Sequence, residues 1–315
     1  MPEEKKFKSG FVNIIGNPNV GKSTLLNLLM DEKLVIATHK AQTTRHRIKG
    51  ILTGDDYQIV FSDTPGILEP AYELQTKMMD YVKEALVDAD LILYVVEVGE
   101  KQPKNEEFFE KLQKTKVPVI ILLNKIDATT QERLEQSVEH WHNLLPEAEI
   151  LPISALENVN VDLLKSKIIQ LLPEGPMYFP EDQLTDKSER FIVDEVIREK
   201  ILLNYKKEIP YSVEVVTQIF KEGLELIQIE SEIYVERDTQ KGIIIGHKGE
   251  SLTKVGKEAR EDLEKFFNKK IFLKLFVKVK KDWRKKDGDL RRFGYWFLID
   301  VLFLNNWCSR INYSP

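Results

Sequence analysis

The sequence predicts an α/β domain, a mostly parallel sheet with helices on both faces, followed by a smaller α+β domain. Three observations predict it. Over residues 10–172, short β-branched runs alternate with amphipathic helical segments, the pattern of strands joined by crossover helices. Over residues 171–189, "LLPEGPMYFPEDQLTDKSE", that alternation stops, and three prolines with a Gly-Pro pair mark a linker. Beyond it the order becomes helix, strand, strand, helix, helix, strand. The expected division is a first domain over 8–172, a linker over 173–188, a second domain over 189–286, and an extension over 287–315 whose structure the pattern leaves open.

The totals support two ordinary globular domains: 315 residues, 42% of them hydrophobic, can bury two cores. The single cysteine, Cys308, can form neither an internal disulfide nor a thiolate zinc site, which suits a reducing, cytoplasmic location. The start, "MPEEKKFKSG", is charged and leads into a strand pattern, with no apolar run of signal-peptide length. Net charge is −5, but Lys241–Lys286 holds fifteen Lys/Arg against six Asp/Glu, a surplus of nine that leaves −14 for the rest.

In the first domain the strands are "FVNII", "YQIVFSD", "DLILYVVEV", "VPVIILLN" and "EILPIS", near-continuous apolar runs of the kind buried on both faces. Helical spacing separates them, as over Asn105–Lys114. Between the first strand and the helix "STLLNLLM" lies "GNPNVGKS", Gly16–Ser23, which fits G-x-x-x-x-G-K-[ST]. In such a loop the backbone N–H groups of Gly16, Asn17, Pro18 (by position only, having no N–H), Asn19, Val20 and Gly21 wrap phosphate oxygens. Lys22 reaches the β- and γ-phosphates, Ser23 offers a hydroxyl to Mg²⁺, and Thr24 follows at the helix N-terminus.

Two further strand ends turn nucleotide binding into guanine binding. "DTPG", Asp63, Thr64, Pro65 and Gly66, supplies a carboxylate that holds Mg²⁺ through water and a Gly66 amide aimed at the γ-phosphate, with Ile67 next in the chain. "NKID" places Asn124, Lys125 and Asp127 at another strand end. The Asp127 carboxylate can accept from N1–H and the exocyclic amine of guanine, donors that adenine does not offer in that geometry. Lys125 lies along the base plane, and "SAL", Ser154, Ala155 and Leu156, follows the last strand to give a backbone N–H to the guanine oxygen. Each short motif alone is an ordinary turn after a strand; their order, each at a carboxyl end, carries the reading.

"GNPNVGKST", "AQTTRHRI", "DTPGI", "NKID" and "ISAL" together resemble the five G motifs of the translation-factor-type GTPases, in their TrmE/Era branch. The resemblance implies a P-loop GTPase domain using GTP/GDP and Mg²⁺, with Ala37–Arg47 as first switch and Thr44, or alternatively Thr43, closing on the metal. Lys22, Thr44 and Gly66 are then the residues expected to act on the γ-phosphate. Ras-like enzymes orient the attacking water with a Gln after Asp-x-x-Gly; here Ile67 and Leu68 stand there, so a low intrinsic rate is expected. Asn19 occupies the position that in potassium-activated relatives helps hold K⁺, and a hydrogen bond inside the loop is its other reading.

The second domain carries "IIIGHKGE". A lone Gly-x-x-Gly is a weak signal, and only Gly246–Gly249 matches here. The stretch lacks the Lys-Ser/Thr pair a nucleotide loop needs, and an amphipathic helix, "ESLTKVGKEAREDLEKFF", follows it. A tight turn between helices in this order fits the Gly-x-x-Gly clamp of a type II KH domain, which grips single-stranded nucleic acid. Expected RNA contacts are Lys241, Gly246, His247, Lys248, Gly249, Glu250, Ser251, Lys254 and Lys257, with Lys278, Lys280, Lys281, Trp283 and Arg284 beside the site or on a flank. A Lys-rich strand is also a common guard on a solvated sheet edge.

Within the branch, the resemblance is to members that join a G domain to a C-terminal KH domain, and it covers about residues 8–295. It implies binding of 16S rRNA near its 3′ end, a role in maturation of the 30S ribosomal subunit, and loose association with the cytoplasmic face of the inner membrane. No DNA partner is expected, and the chain is expected to be a monomer. Two other readings stay open: an RNA chaperone in which turnover is incidental, and a membrane-associated signalling GTPase whose basic surface meets anionic lipid. The final twenty residues, 296–315, depart from the resemblance. "WFLIDVLFL" is too short to span a bilayer and is interrupted by Asp300. A strand packed on the second domain and an altered reading near the gene's end are favoured over a membrane-surface helix.

Overall fold

The computed structural model describes residues 6–101 and 104–295, so the expectations for 296–315 lie outside the described residues. The first module runs β1 (Lys8–Gly16), α1 (Lys22–Met30), β2 (Ile48–Thr53), β3 (Tyr57–Asp63), α2 (Glu73–Val87), β4 (Leu91–Glu97), α3 (Glu106–Gln113), β5 (Val119–Asn124), α4 (Gln131–Leu144), β6 (Glu149–Pro152) and α5 (Val161–Leu171). Its six strands lie in the order β2-β3-β1-β4-β5-β6, all parallel except β2, which pairs antiparallel with β3. On one face the apolar stripes of α1 (Leu25, Leu26, Leu29) and α5 (Val161, Leu164, Ile168) are buried. On the other, Val82 of α2, Phe108 and Leu112 of α3 and Trp141 of α4 close the second core. A sheet covered on both sides explains why its strands read as unbroken apolar runs.

The expected strands are present, and the structure adds β2, directly after the segment expected as the first switch, where no element was expected. "IKGILT" is short and contains Gly50, so it presents little periodicity to read. It stands at the sheet edge, and the stretch expected as a free linker covers it. Ile51 N–H donates to the Leu184 carbonyl at 2.9 Å, and Thr185 Oγ1 donates to the Lys49 carbonyl at 2.7 Å. The Gln58 side chain accepts from the N–H groups of Tyr178 and Phe179. Pairing an edge strand with a passing chain removes a row of open hydrogen-bonding groups.

The second module is α6 (Glu189–Asn204), β7 (Glu214–Glu222), β8 (Leu226–Val235), α7 (Asp238–Ile245), α8 (Glu250–Phe267), β9 (Lys270–Val279) and a short α9 (Asp287–Arg292). The sheet order is β7-β8-β9, antiparallel then parallel. Val193, Ile197 and Ile201 of α6 and Val255, Ala259 and Leu263 of α8, each set at a spacing of four, pack on Ile229, Ile233 and Ile271. This is the αββααβ arrangement of a type II KH fold.

Where the modules meet, Leu74 and Met78 of α2 pack against Tyr234, Trp283, Leu290, Phe293 and Tyr295. Trp283 was expected to face RNA; instead its ring is fully buried in this seam and its Nε1–H donates to the Ser212 carbonyl at 3.1 Å. An indole that finds both apolar cover and a hydrogen-bond acceptor stays inside. Trp283→Ala should therefore cost about 3–5 kcal/mol, as for other buried aromatic truncations. Urea denaturation of the full chain checks this, and a loss under about 1 kcal/mol would contradict the packing role.

Candidate functional site

β1, β3 and β5 end together, and their carboxyl ends with the loop before α1 enclose a cavity of about 560 Å³. Pro18, Asn19, Gly21, Lys22, Ser23 and Thr24 line one side, and Asn124, Lys125, Asp127, Ala155 and Leu156 the other. Gly21 has φ 99°, and a Cβ there would come within 2.3 Å of Asn124 Nδ2, so only glycine lets the loop approach that strand end. Asn124 ties the two halves together: its Nδ2 donates to the Val20 carbonyl at 2.7 Å and its Oδ1 accepts from Ala155 N–H at 2.9 Å. Asn124 is thus a brace for the base-reading end.

At that end Asp127 is exposed into the cavity, and its Oδ1 accepts from Ser154 Oγ at 2.5 Å. Lys125 Nζ pairs with Glu97 Oε2 at 2.6 Å, which holds its stem across the cavity wall. Leu156 is largely exposed beside it.

At the phosphate end Lys22 is buried, and its Nζ donates to the carbonyls of Gly16 at 3.0 Å and Asn17 at 2.9 Å. Burial pushes this amine down to about 8, partly opposed by the charges of Asp63 and Glu100. Phosphate oxygens would restore the full charge. Asn19, with φ 67°, is exposed at the rim, and Gly66 lies against Pro18. Thr64 does not reach the cavity: its Oγ1 donates to the Ile14 carbonyl at 2.8 Å and fixes the turn. Ile67 is buried in the core beneath α2, with its N–H donating to the Gly16 carbonyl at 3.1 Å.

Three oxygen-bearing side chains converge beside Lys22. Ser23 Oγ and Thr44 Oγ1 lie 2.9 Å apart, and they donate to Asp63 Oδ2 at 2.7 and 2.9 Å respectively. Asp63 Oδ1 is buried without a hydrogen-bond partner, and burial pushes the carboxyl's pKa up despite Lys22 and the two hydroxyls. A hard-oxygen donor set with an orphaned buried carboxylate oxygen fits Mg²⁺. Thr43, the alternative to Thr44, is turned away: its Oγ1 donates to the Lys40 carbonyl at 2.6 Å.

The second candidate site is built on α7, the turn His247–Gly249 and α8. Gly246 has φ 73°, and a Cβ there would come within 2.2 Å of Ser251 Oγ; Lys248 is also left-handed at φ 49°. The turn projects His247 and Lys248 into solvent, and beside it runs a groove of about 480 Å³. Its walls are Leu252, Thr253, Gly256, Lys257 and Arg260 of α8 and Leu273 and Leu275 of β9. Arg260, Gly256 and the leucines were not singled out in the sequence, although positions 252, 256 and 260 share one helical face. Lys254 and Lys257 are exposed on the same helix.

The basic residues beyond α8 separate from this groove. Along β9 the odd positions face inward, so Lys278 stands on the opposite face, paired with Glu232, and Lys280, just past the strand, pairs with Asp289. Arg284 pairs with Glu236 and lies over the Tyr72 ring at 5.0 Å. Lys281 stays exposed. The flank expected as an RNA surface is thus partly neutralised, by Glu232 and Glu236 from β8 and the residue after it and by nearby Asp289.

Residues 11–125 match the family described as 50S ribosome-binding GTPase, and residues 208–284 match the KH domain. GTPase Era of Syntrophus aciditrophicus (strain SB) is 50% identical over 92% of this chain and 95% of its own length. The chain belongs to the Era family of GTPases. GTPase Era of Staphylococcus haemolyticus is 47% identical over 91% of this chain and 97% of its own. The crystal structure of Era in complex with MgGDPNP and nucleotides 1506–1542 of 16S ribosomal RNA matches with TM-score 0.88 and 40% identity, over 92% of this chain and 100% of that one. A variant of Aquifex aeolicus Era bound to GDP·AlF4⁻ matches with the same TM-score, identity and coverage.

As an Era-family GTPase the chain hydrolyses GTP, and the Asp127 side chain lines its cavity. Asp127→Asn should shift preference from guanine to xanthine nucleotides, lowering GTP affinity by about 10²-fold or more, since a lost buried charged hydrogen bond is worth several kcal/mol. Competition between GTP and XTP for the purified protein reads this out. Unchanged GTP affinity would remove Asp127 from base reading.

Proposed function

We propose that the chain is a GTP-hydrolysing switch that binds single-stranded 16S rRNA near its 3′ end and assists maturation of the 30S subunit. In this reading residues 8–172 form the nucleotide module and residues 189–286 the RNA module, with 173–188 between them. The observation that carries the reading is the pairing, in one chain, of a cavity lined by the Gly16–Ser23 loop, Asn124, Lys125 and Asp127 with an open Gly-x-x-Gly turn beside an apolar groove with a basic rim. A lipid-binding surface has no need of such a turn, which favours RNA over the anionic-lipid alternative. We also propose a cytoplasmic monomer with loose peripheral membrane association; no helix among the described residues is long and apolar enough to cross a bilayer.

The chemistry follows from the site. Lys22 and the loop amides hold the β- and γ-phosphates and meet the charge that develops on them. Ser23, Thr44 and Asp63 would hold Mg²⁺, which supplies further charge neutralisation. Gly66 presents a backbone N–H at the γ-phosphate end. Ile67, packed into the core, cannot orient a water, so positioning and charge must do most of the work and the unassisted rate is low. Asn19 at the rim is the residue available to K⁺. If it serves so, turnover in KCl should exceed that in NaCl by about tenfold or more; equal rates would leave Asn19 as a loop residue.

For the RNA module, the turn brings backbone close to a sugar-phosphate chain, bases enter the groove between α8 and β9, and Lys248, Lys254, Lys257 and Arg260 meet phosphates. Gly246→Asp with Gly249→Asp should abolish binding of a 16S rRNA 3′-end oligonucleotide while GTP affinity stays within about threefold, because the two sites share no residues. Filter binding and nucleotide titration on the same preparation decide. Retained RNA binding would move the interface elsewhere.

A further inference from the structure

Two arginines cross the seam between the modules in opposite directions, and Thr44 lies between them. Arg198 of α6 is fully buried. Its Nε and Nη2 are held by Glu195 Oε1 and Oε2 at 2.7 and 2.5 Å. The remaining donors reach the first switch: Nη1 donates to the Gln42 carbonyl at 3.2 Å, and Nη2 donates to the Thr43 carbonyl. Arg45, also fully buried, reaches back. Its Nη1 donates to the Val213 carbonyl at 2.7 Å and to Glu214 Oε2 at 3.3 Å, and its Nη2 donates to the carbonyls of Pro210 and Tyr211 at 3.3 and 3.1 Å. Glu214 is in turn anchored by the Tyr295 hydroxyl at 2.7 Å. Lys40, earlier in the same switch, donates to the carbonyls of Leu202 and Tyr205.

Simple adhesion between modules needs only complementary side chains. Here the acceptors for Arg198 are main-chain carbonyls of the two residues preceding Thr44, and the residue following Thr44 is locked into the second module. The backbone on both sides of one hydroxyl is therefore fixed from outside the nucleotide module. We propose that Arg198 is a positioning residue for GTP hydrolysis: through the carbonyls of Gln42 and Thr43, with Arg45 as its counterpart, it holds Thr44 where Ser23 and Asp63 meet it. A guanidinium presents its donors as a rigid planar fork that fixes the two carbonyls relative to each other; a rotatable ammonium can bond two carbonyls but imposes no such geometry. Displacing a metal-site hydroxyl by about 1 Å is enough to cost about a hundredfold in rate. By linkage, whatever holds the second module against the switch tightens the triphosphate state, and the triphosphate state tightens the docking.

The proposal rests on Thr44 being the switch ligand, so Thr44→Ala is tested beside it. The measurements use the full-length chain: steady-state GTP hydrolysis across a Mg²⁺ titration, and affinities for fluorescent GTP and GDP. Arg198→Lys should lower kcat by about tenfold or more and raise the Mg²⁺ needed for half-maximal rate, with GDP affinity within about twofold of the parent. Thr44→Ala should change the same quantities in the same direction. If Thr44→Ala leaves rate and Mg²⁺ dependence intact, the switch-ligand reading fails. If Thr44→Ala has its effect while Arg198→Lys behaves as the parent, or loses GTP and GDP affinity equally, the positioning role is overturned. Should Arg198→Lys not fold by circular dichroism, Arg45→Lys carries the same expected split and the same overturning results.

Discussion

A buried guanidinium has to find acceptors for its donors, and in this protein that requirement decides how the two modules sit. Arg45 and Arg198 are the largest charged groups fully removed from solvent. Leaving either unpaired would cost several kcal/mol, and the modules approach each other in a geometry that gives the terminal nitrogens of both their acceptors, while Arg45 Nε is buried without one. Carbonyls of the second module's Pro210–Val213 segment accept from one, and carbonyls of the first switch accept from the other. Around this polar centre the apolar contacts close: His46 stacks on Tyr295 at 4.2 Å, and α2 buries Leu74 and Met78 against the residues of the last turn. Such a seam gives specificity of arrangement more than raw stability.

The nucleotide cavity depends on the same economy of position. Apart from the first switch and Leu203, the side chains that touch it come from the carboxyl ends of strands, the loops that follow them or the start of α1, the place where a parallel sheet leaves its ligand crevice. Rigid strands fix the starting points, and cross-braces such as Asn124 fix the loops. The first switch has no strand or helix between α1 and β2. It is held partly within its own module, by Thr44 on Asp63 and Arg47 on Asp88, and partly by the second module. The chemistry of GTP and the docking of the KH fold thereby meet in one stretch, Ala37–Arg47, and Leu203 of α6 even lines the nucleotide cavity.

The RNA side is organised by alternation. Inward positions of β9 provide the apolar groove floor with α8, the outward Lys278 meets a carboxylate of β8, and Lys280, just past the strand, meets one of α9. A basic stretch in one dimension becomes two surfaces in three, one open and one largely compensated. The Gly-x-x-Gly turn belongs to the open one, with His247 and Lys248 unshielded above it.

Local chemistry was legible in the sequence. The loop Gly16–Ser23, the strand-end motifs at Asp63 and Asn124, the turn Gly246–Gly249 and the helix-strand order all depend on residues within a few positions of one another, where spacing and backbone preference act directly. The edge strand β2 was harder to read because Gly50 and its short length blur the period, and its cover by residues 184–185 is a long-range pairing. Burial of Trp283, the pairing of Lys278, and the reach of Arg45 and Arg198 could not be read at all. Each is settled by a partner some fifty to two hundred residues away or by which face of a strand a side chain leaves, and neither is encoded locally. The sequence by itself determined what chemistry each module can do; only the tertiary structure decided that one module holds the other's switch, because burial and hydrogen-bond closure of a guanidinium are properties of the assembled seam.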